Sequence, residues 1–258
     1  MKELQFYKYQ GTGNDFILVD NRNLHFDKSD TAFVKHLCDR RFGIGADGLI
    51  LLENHSDLDF RMVYYNSDGN ESSMCGNGGR CIVAFAHNIG VISDHAVFEA
   101  IDGVHQAKIA GQVIRLQMQD VRHVQEFNDH VFLNTGSPHH VQFESAIDEF
   151  DIQTKGSSIR YGEPYNAEGC NVNFVKKIKD DKFRVRTYER GVEGETLSCG
   201  TGVTAVAIAM HFLKETTKTS VELQVQGGKL TVAFDYENGV YSNVWLIGPA
   251  TFVFKGTI

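Results

Sequence analysis

The chain has 258 residues, 42% of them hydrophobic and 22% charged, with a formal net charge of -8 at pH 7. That length suits one large domain or two of ordinary size, and it buries a core without metal or disulfide staples. The acidic balance argues against nucleic acid or an anionic membrane surface as a partner.

The opening segment MKELQFYKYQ lacks the apolar stretch of a secretory signal. Helical spacing then appears near residues 31–38. Apolar or alternating runs at 16–20, 49–53, 60–65 and 113–119 predict strands in the first half of the chain. Runs at 171–176, 183–188, 221–225, 230–234 and 244–248 predict strands in the second. A helix is predicted over 78–89, with Ile82, Phe85, Ala86 and Ile89 on one face. Another over 202–214 is apolar nearly all round and should be enclosed. Its apolar run is broken by Thr204 and His211 and is too short to span a bilayer. Many strands with few helices, outside strict alternation, indicate an α+β fold.

The chain repeats itself weakly. Under the offset that carries Cys75 onto Cys199, Tyr64 falls on Tyr188, Glu71 on Glu195, Gly76 on Gly200, Gly78 on Gly202, His87 on His211 and Gly103 on Gly227. An offset one residue shorter carries Thr12-Gly13 onto Thr135-Gly136. Both copies run strand, glycine-containing loop, Cys-Gly-x-Gly, helix, then a strand-turn-strand pair. This predicts two related halves dividing near Asp120: residues 1–119, which the closing strand 251–258 would rejoin, and 120–250.

The five cysteines, Cys38, Cys75, Cys81, Cys170 and Cys199, are odd in number and show no CxxC spacing. That suits free thiols in a cytoplasmic protein rather than a disulfide framework or a zinc site, so no metal is expected. Cys81 reads as core, and Cys38 and Cys170 have no counterpart in the other half. Cys75 and Cys199 each precede a predicted helix, where unsatisfied N–H groups and the positive end of the helix dipole gather. Such a place binds a carboxylate and lowers a thiol's pKa from about 8.5 towards neutrality. If the halves pack about a pseudo-two-fold axis, the cysteines can face each other across a cleft. One thiolate then removes an α-proton while the other thiol delivers a proton to the opposite face. The motifs of a nucleotide site are missing, and no cofactor is expected. Asp47 and Asp68, in loops rich in glycine, read as turn formers.

The segments GTGNDF (11–16), RRFGIGADGLI (40–50), YNSDGNESSMCGNGGR (65–80), GSPHH (136–140), NVNFV (171–175), YERGVEGETLSCGTG (188–202) and GGKL (227–230) resemble the diaminopimelate epimerase family. The resemblance implies interconversion of LL- and meso-diaminopimelate, a small diamino-dicarboxylic acid, in lysine and cell-wall biosynthesis. It implies two similar halves, each a mostly antiparallel strand layer wrapped around a central helix, with the active site in the cleft between them and a homodimer as the assembly. Cys75 and Cys199 would be the base and acid pair, with His139 and Glu189 supporting their protonation. Asn14, Asn66, Asn171, Glu189 and Arg190 match positions that hold the distal amino and carboxylate groups. Gly76, Asn77, Gly200 and Thr201 match the loops that hold the reacting carboxylate.

Two positions depart from the pattern. Ser137 stands where many members have Asn, so its substrate contact would be shorter or water-mediated, and Gly48 stands where some carry Gln. A racemase or epimerase of proline, hydroxyproline or histidine on the same scaffold would keep both cysteines but lose the distal clamp of Asn66, Asn171 and Arg190. A phenazine-type isomerase would lack the cysteine pair, a thiol redox protein would favour CxxC, and a mere binding module would not need the two thiols.

Overall fold

Strands that are apolar at every position need cover on both faces. In the computed structural model, which describes residues 3–72 and 74–258, two strands with such apolar runs, 16–19 and 49–52, lie side by side in the first half. Met1 and Lys2, which open the MKELQFYKYQ segment, and Ser73, inside YNSDGNESSMCGNGGR, lie outside the described residues.

The elements follow in chain order. The first half holds β1 (Gln5–Gly11), β2 (Asn14–Asp20), α1 (Thr31–Cys38), β3 (Gly48–Glu53), β4 (Phe60–Asn66), α2 (Gly76–Asn88), β5 (His95–Ala100), β6 (Gly103–Ala110) and β7 (Val113–Gln117). The second holds β8 (Val124–Glu126), β9 (Val131–Asn134), β10 (Pro138–Phe143), α3 (Ile152–Tyr161), β11 (Asn171–Lys179), β12 (Lys182–Glu189), β13 (Gly194–Thr196), α4 (Gly200–Phe212), β14 (Ser220–Val225), β15 (Gly228–Glu237) and β16 (Val240–Pro249). A last strand, β17 (Thr251–Thr257), pairs antiparallel with β1. The chain divides into two compact units: residues up to Leu116 together with Gly248–Ile258, and Gln117–Ile247.

Within the first unit the strands lie in the order β17-β1-β2-β3-β4-β5-β6-β7, with β2–β3 and β4–β5 parallel and the other neighbours antiparallel. Within the second the order is β8-β9-β10-β11-β12-β14-β15-β16, with β10–β11 and β12–β14 parallel and β13 pairing on β12. The two sheets repeat element for element. Gly13 and Gly136, matched in the sequence repeat, both hold left-handed backbone at the equivalent turn, φ 88° and 105°.

Each layer wraps a central helix. In the first unit α2 packs on β1, β2, β3, β6 and β17, and in the second α4 packs on β9 to β12, β14 and β15. Residues alternate between the two faces of a strand, which explains the unbroken apolar runs. On β2 and β3, Ile17, Val19, Leu49 and Leu51 join Val34 and Leu37 of α1 in one core. Phe16 and Ile50 face α2 instead, where they crowd Gly78. On β11, Val172 and Phe174 join Ile152 in the core beneath α3, whereas Asn173 faces α4. Helix α4 is buried from Gly202 to Met210, the enclosure its all-round apolarity predicts. Among the described residues no helix is long and apolar enough to cross a membrane.

Two predictions need correction. Helix α3 is absent from the sequence reading because it buries only Ile152, Gly156 and Arg160, too thin an apolar stripe to register. The central helices begin at Gly76 and Gly200, two residues ahead of the predicted starts. The glycines that suggested a tight turn are helical, and they serve close packing: a Cβ on Gly78 would lie 3.2 Å from Ile50 Cδ1, and one on Gly79 would lie 2.9 Å from Leu116 Cδ2.

The docking of α3 is testable at Gly156. A Cβ there would lie 2.5 Å from Tyr188 Cβ and 2.6 Å from Cγ, atoms too close to the backbone to swing aside. Gly156→Ala should cost about 1–3 kcal/mol of stability, seen as a lower urea midpoint with an unchanged slope. An unchanged midpoint would mean that α3 is not held against β12.

Candidate active site

Cys75 and Cys199 are the N-cap residues of α2 and α4, each in extended backbone, and neither side chain caps its helix. The helical ladders begin with Gly79 N–H on Cys75 O at 2.7 Å and Val203 N–H on Cys199 O at 3.0 Å. The amides before them lie at the positive end of the helix, and neither first turn carries an acidic residue to neutralise it. Each thiol therefore sits beside a ready anion site.

In the first unit the Cys75 thiol donates to Asn14 Oδ1 at 3.6 Å. The same oxygen accepts from Asn77 Nδ2 at 3.2 Å. Asn14 stands at the start of β2, and its Nδ2 donates to Asp47 Oδ2 at 2.5 Å. Asp47 also takes Arg40 Nη2 at 2.7 Å, and Arg40 grips Asp15 through both of its carboxylate oxygens. Burial alone would raise the Asp15 carboxyl, but Arg40 and Lys8 outweigh it and hold it at about 2. Asp47 is thus a partner of Asn14 rather than the turn former its glycine-rich loop suggested. Asp68 does form a turn, accepting from Asn70 N–H. Arg80, fully buried on α2, donates to Asn77 Oδ1, Gly76 O and Thr12 Oγ1. Asn66 ends β4, bonded through its backbone to Gly69 and Asn70. Among the described hydrogen bonds it stands apart from the Asn14 group. At Gly48 a side chain has no room, because a Cβ would lie 2.5 Å from Tyr65 O and 2.6 Å from the Tyr64 ring.

In the second unit Cys199 Sγ lies 3.5 Å from Thr201 Oγ1, and Thr135 Oγ1 donates to Thr201 O at 2.9 Å. Gly202 makes space for the thiol: a Cβ there would come within 2.5 Å of Asn173 Oδ1 and 3.3 Å of Cys199 Sγ. Asn173 organises its surroundings. Its Oδ1 accepts from Thr187 Oγ1 at 3.0 Å, so its Nδ2 faces His140 O at 3.0 Å and His139 Nδ1 at 3.1 Å. His139 Nδ1 is therefore an acceptor and the ring proton sits on Nε2, which is buried without a hydrogen-bond partner among the described residues. Burial, reinforced by the Arg190 charge, lowers the His139 pKa to about 3. This imidazole is a neutral N–H donor at physiological pH and not a titrating base.

Asn171 joins two of the remaining candidates. Its Nδ2 donates to Ser137 Oγ at 2.9 Å, and its Oδ1 accepts the Arg190 backbone N–H at 2.9 Å. The Arg190 guanidinium donates to Glu168 O at 3.0 Å, and Glu189 Oε2 accepts from Thr196 Oγ1 at 2.9 Å. Cys38, Cys81 and Cys170 are buried, and burial first of all pushes their thiols up to about 11, 12 and 12. That leaves them unreactive. Among the described residues no group of three His, Cys, Asp or Glu side chains is arranged to hold a metal ion. The sequence patterns point to no place in the site for Asn173, Asp47 or Arg80. A polar residue in the apolar run Val172-Asn173-Phe174 was a legible signal, since a buried amide must find partners. For Asp47 no such signal existed.

The architecture is shared with solved structures of low identity. A phenazine biosynthesis protein of Bacillus anthracis superposes with a TM-score of 0.79 at 14% identity, covering 100% of this chain and 99% of its own. A hydroxyproline epimerase of Agrobacterium vitis superposes with a TM-score of 0.71 at 14% identity, covering 100% of this chain and 92% of its own. These define the fold class. The family follows from closer relatives. The diaminopimelate epimerase profile matches residues 6–124 and 131–253. A diaminopimelate epimerase of Flavobacterium psychrophilum is 56% identical, covering 99% of this chain and 100% of its own length. One of Chlorobaculum tepidum is 43% identical, covering 96% and 98%. The chain belongs to the diaminopimelate epimerase family.

The neutral His139 sets a pH dependence. Its folded pKa of about 3 lies below the ordinary 6.5, so on acidification the unfolded chain takes the proton first. The stability this side chain contributes is complete above pH 6.5 and declines as pH falls towards 3. Between pH 7 and pH 5 the parent should lose about 2 kcal/mol that a His139→Gln chain does not lose. Urea midpoints at the two pH values check this, and parallel losses would show that His139 is protonated without penalty.

Proposed function

We propose that this chain interconverts LL- and meso-diaminopimelate without a cofactor, with Cys75 and Cys199 as the base and acid on opposite faces of one α-carbon. One observation carries the reading: each half of a duplicated fold places one cysteine at the N-cap of its enclosed central helix. A reaction that must run in both stereochemical directions needs two similar groups in similar surroundings, and a duplication supplies them. In each direction one thiolate takes the α-proton and the other thiol gives its proton to the opposite face. The protonation states of the pair are exchanged at the end of the turnover.

The α-proton of an amino acid is very weakly acidic, so the enolate-like charge that develops on the carboxylate needs donors already in place. The amides of Gly76, Asn77, Gly200 and Thr201 are suited to this, being at helix starts where the dipole favours negative charge. Asn14, Asn66, Ser137, Asn171, Glu189 and Arg190 hold the distal head group in this reading. A guanidinium suits its carboxylate, and amide or carboxylate oxygens suit its ammonium. His139 acts as a fixed N–H donor that polarises its surroundings without exchanging a proton. The enzyme works in the cytoplasm as a homodimer, with one cysteine from each of the halves 1–119 and 120–250.

Reduced protein incubated with LL-diaminopimelate in heavy water, with nothing added, should place solvent deuterium on the α-carbon and yield the meso isomer. Cys75→Ala and Cys199→Ala should each lower epimerisation by about 10²–10⁴-fold, while Cys38→Ala retains it. Exchange with proline or hydroxyproline in place of diaminopimelate would replace the substrate assignment. Turnover surviving loss of either cysteine would remove the two-base mechanism.

A further inference from the structure

The hydrogen bonds behind Cys75 run in one sense. The Arg80 guanidinium donates to Asn77 Oδ1 at 3.0 Å, so Asn77 must offer Nδ2 to Asn14, as it does at 3.2 Å. At the other end the Asp47 carboxylate only accepts, and it takes Asn14 Nδ2 at 2.5 Å. Asn14 therefore has one permitted orientation. Turning its amide over would set NH2 against the Asn77 NH2 and a carbonyl oxygen against the Asp47 carboxylate. Arg40, at 2.7 Å from Asp47, holds that carboxylate in place, and Asp15 and Lys8 complete the network behind it.

We infer that Asp47 is a positioning residue for Cys75: by locking the Asn14 amide it presents only a carbonyl oxygen to the sulfur and keeps Cys75 in the thiol form until substrate enters. The inference rests on the reading of Cys75 as a proton-transfer group. A carbonyl oxygen 3.6 Å from the sulfur accepts from S–H and repels S⁻, and a hydrogen bond to the neutral form raises a pKa. Opposing groups lie close by. The α2 N-terminus and the buried Arg80 both favour the thiolate. Cys81, next on the helix, is itself held protonated by burial, and Asp102, which accepts the Met74 N–H at 3.4 Å, favours the thiol. A two-base site needs one sulfur to begin as an acid, and the fixed amide supplies that bias at Cys75.

The test is the pH profile of iodoacetamide alkylation at Cys75, read by peptide mass spectrometry in the Cys199→Ala chain. Adding Asp47→Ala removes the charged restraint on the Asn14 amide and leaves only the weaker one from the Asn77 NH2, so the Asn14 NH2 can turn to the sulfur. The profile should move to lower pH, with about ten-fold faster alkylation near neutrality. Asp47→Asn, which keeps the shape, should move it in the same direction by less, and it carries the test should the alanine chain not fold. In an Asn14→Ala chain, Asp47→Ala should change the rate by less than about two-fold. An unmoved profile overturns the inference. So does an equal shift with and without Asn14, which would reduce Asp47 to a nearby charge. The titration uses no substrate, so it can fail while the epimerase reading stands, and it can succeed if that reading fails.

Discussion

A helix that starts inside a strand layer carries its unsatisfied amides with it, and this chain does so twice. At such a place the first turn has little room for side chains, and its positive end lacks the water that would otherwise screen it. Glycine at positions 78, 79 and 202 answers the first condition, since a Cβ at any of them would meet neighbouring atoms at 3.2 Å or less. A cysteine at the N-cap answers the second. It is small, it does not use the amides for capping, and its thiolate is stabilised by the same field that would bind a carboxylate. The sheet order, the apolar α4 and the two-sided burial of β2 and β3 all serve to enclose those helix starts.

Enclosure puts polar groups where they cost free energy unless paired. Arg80, Asn77, Asn171, Asn173 and His139 are all buried, and each has named partners. These bonds also assign direction. A carboxylate can only accept and a guanidinium can only donate, so an amide strung between them loses the freedom to flip. Asn14 is oriented in this way between Asp47 and Asn77, and Asn173 between Thr187 and the His139–His140 backbone and ring. Burial is what keeps His139 neutral, and these orientations decide which of its ring nitrogens carries the proton.

The same layer-and-helix architecture occurs in proteins only 14% identical to this one, so the fold by itself does not choose a reaction. The choice must then lie in local side chains. Side chains are set at the two helix starts and at the strand ends beside them, where β2, β4, β11 and β12 place Asn14, Asn66, Asn171 and Glu189.

Much of this was legible in the residues because it is local or periodic. The Cys-Gly-x-Gly repeat marks both helix starts, although the glycines suggested turns and moved the predicted starts by two residues. The apolar runs at β2, β3, β11 and β12 announce buried strands, and the all-round apolarity of α4 announces enclosure. Other features depend on partners distant in the chain. Strand β1 hides its pattern because Lys8 is buried and paired with Asp15, and β10 hides behind Pro138 and two histidines. Helix α3 buries too little to be seen. The tautomer of His139, the orientation of Asn14 and the pairing of Asp47 with Asn14 each rest on hydrogen bonds that cross between strands and loops. Sequence by itself determined where the thiols, the glycines and the apolar faces lie, since those depend on neighbours three or four residues away. Only the tertiary structure decided which way each buried amide points, because that is set by donors and acceptors brought together from thirty or more residues apart, as Asp47 is to Asn14 and Asn173 to His139.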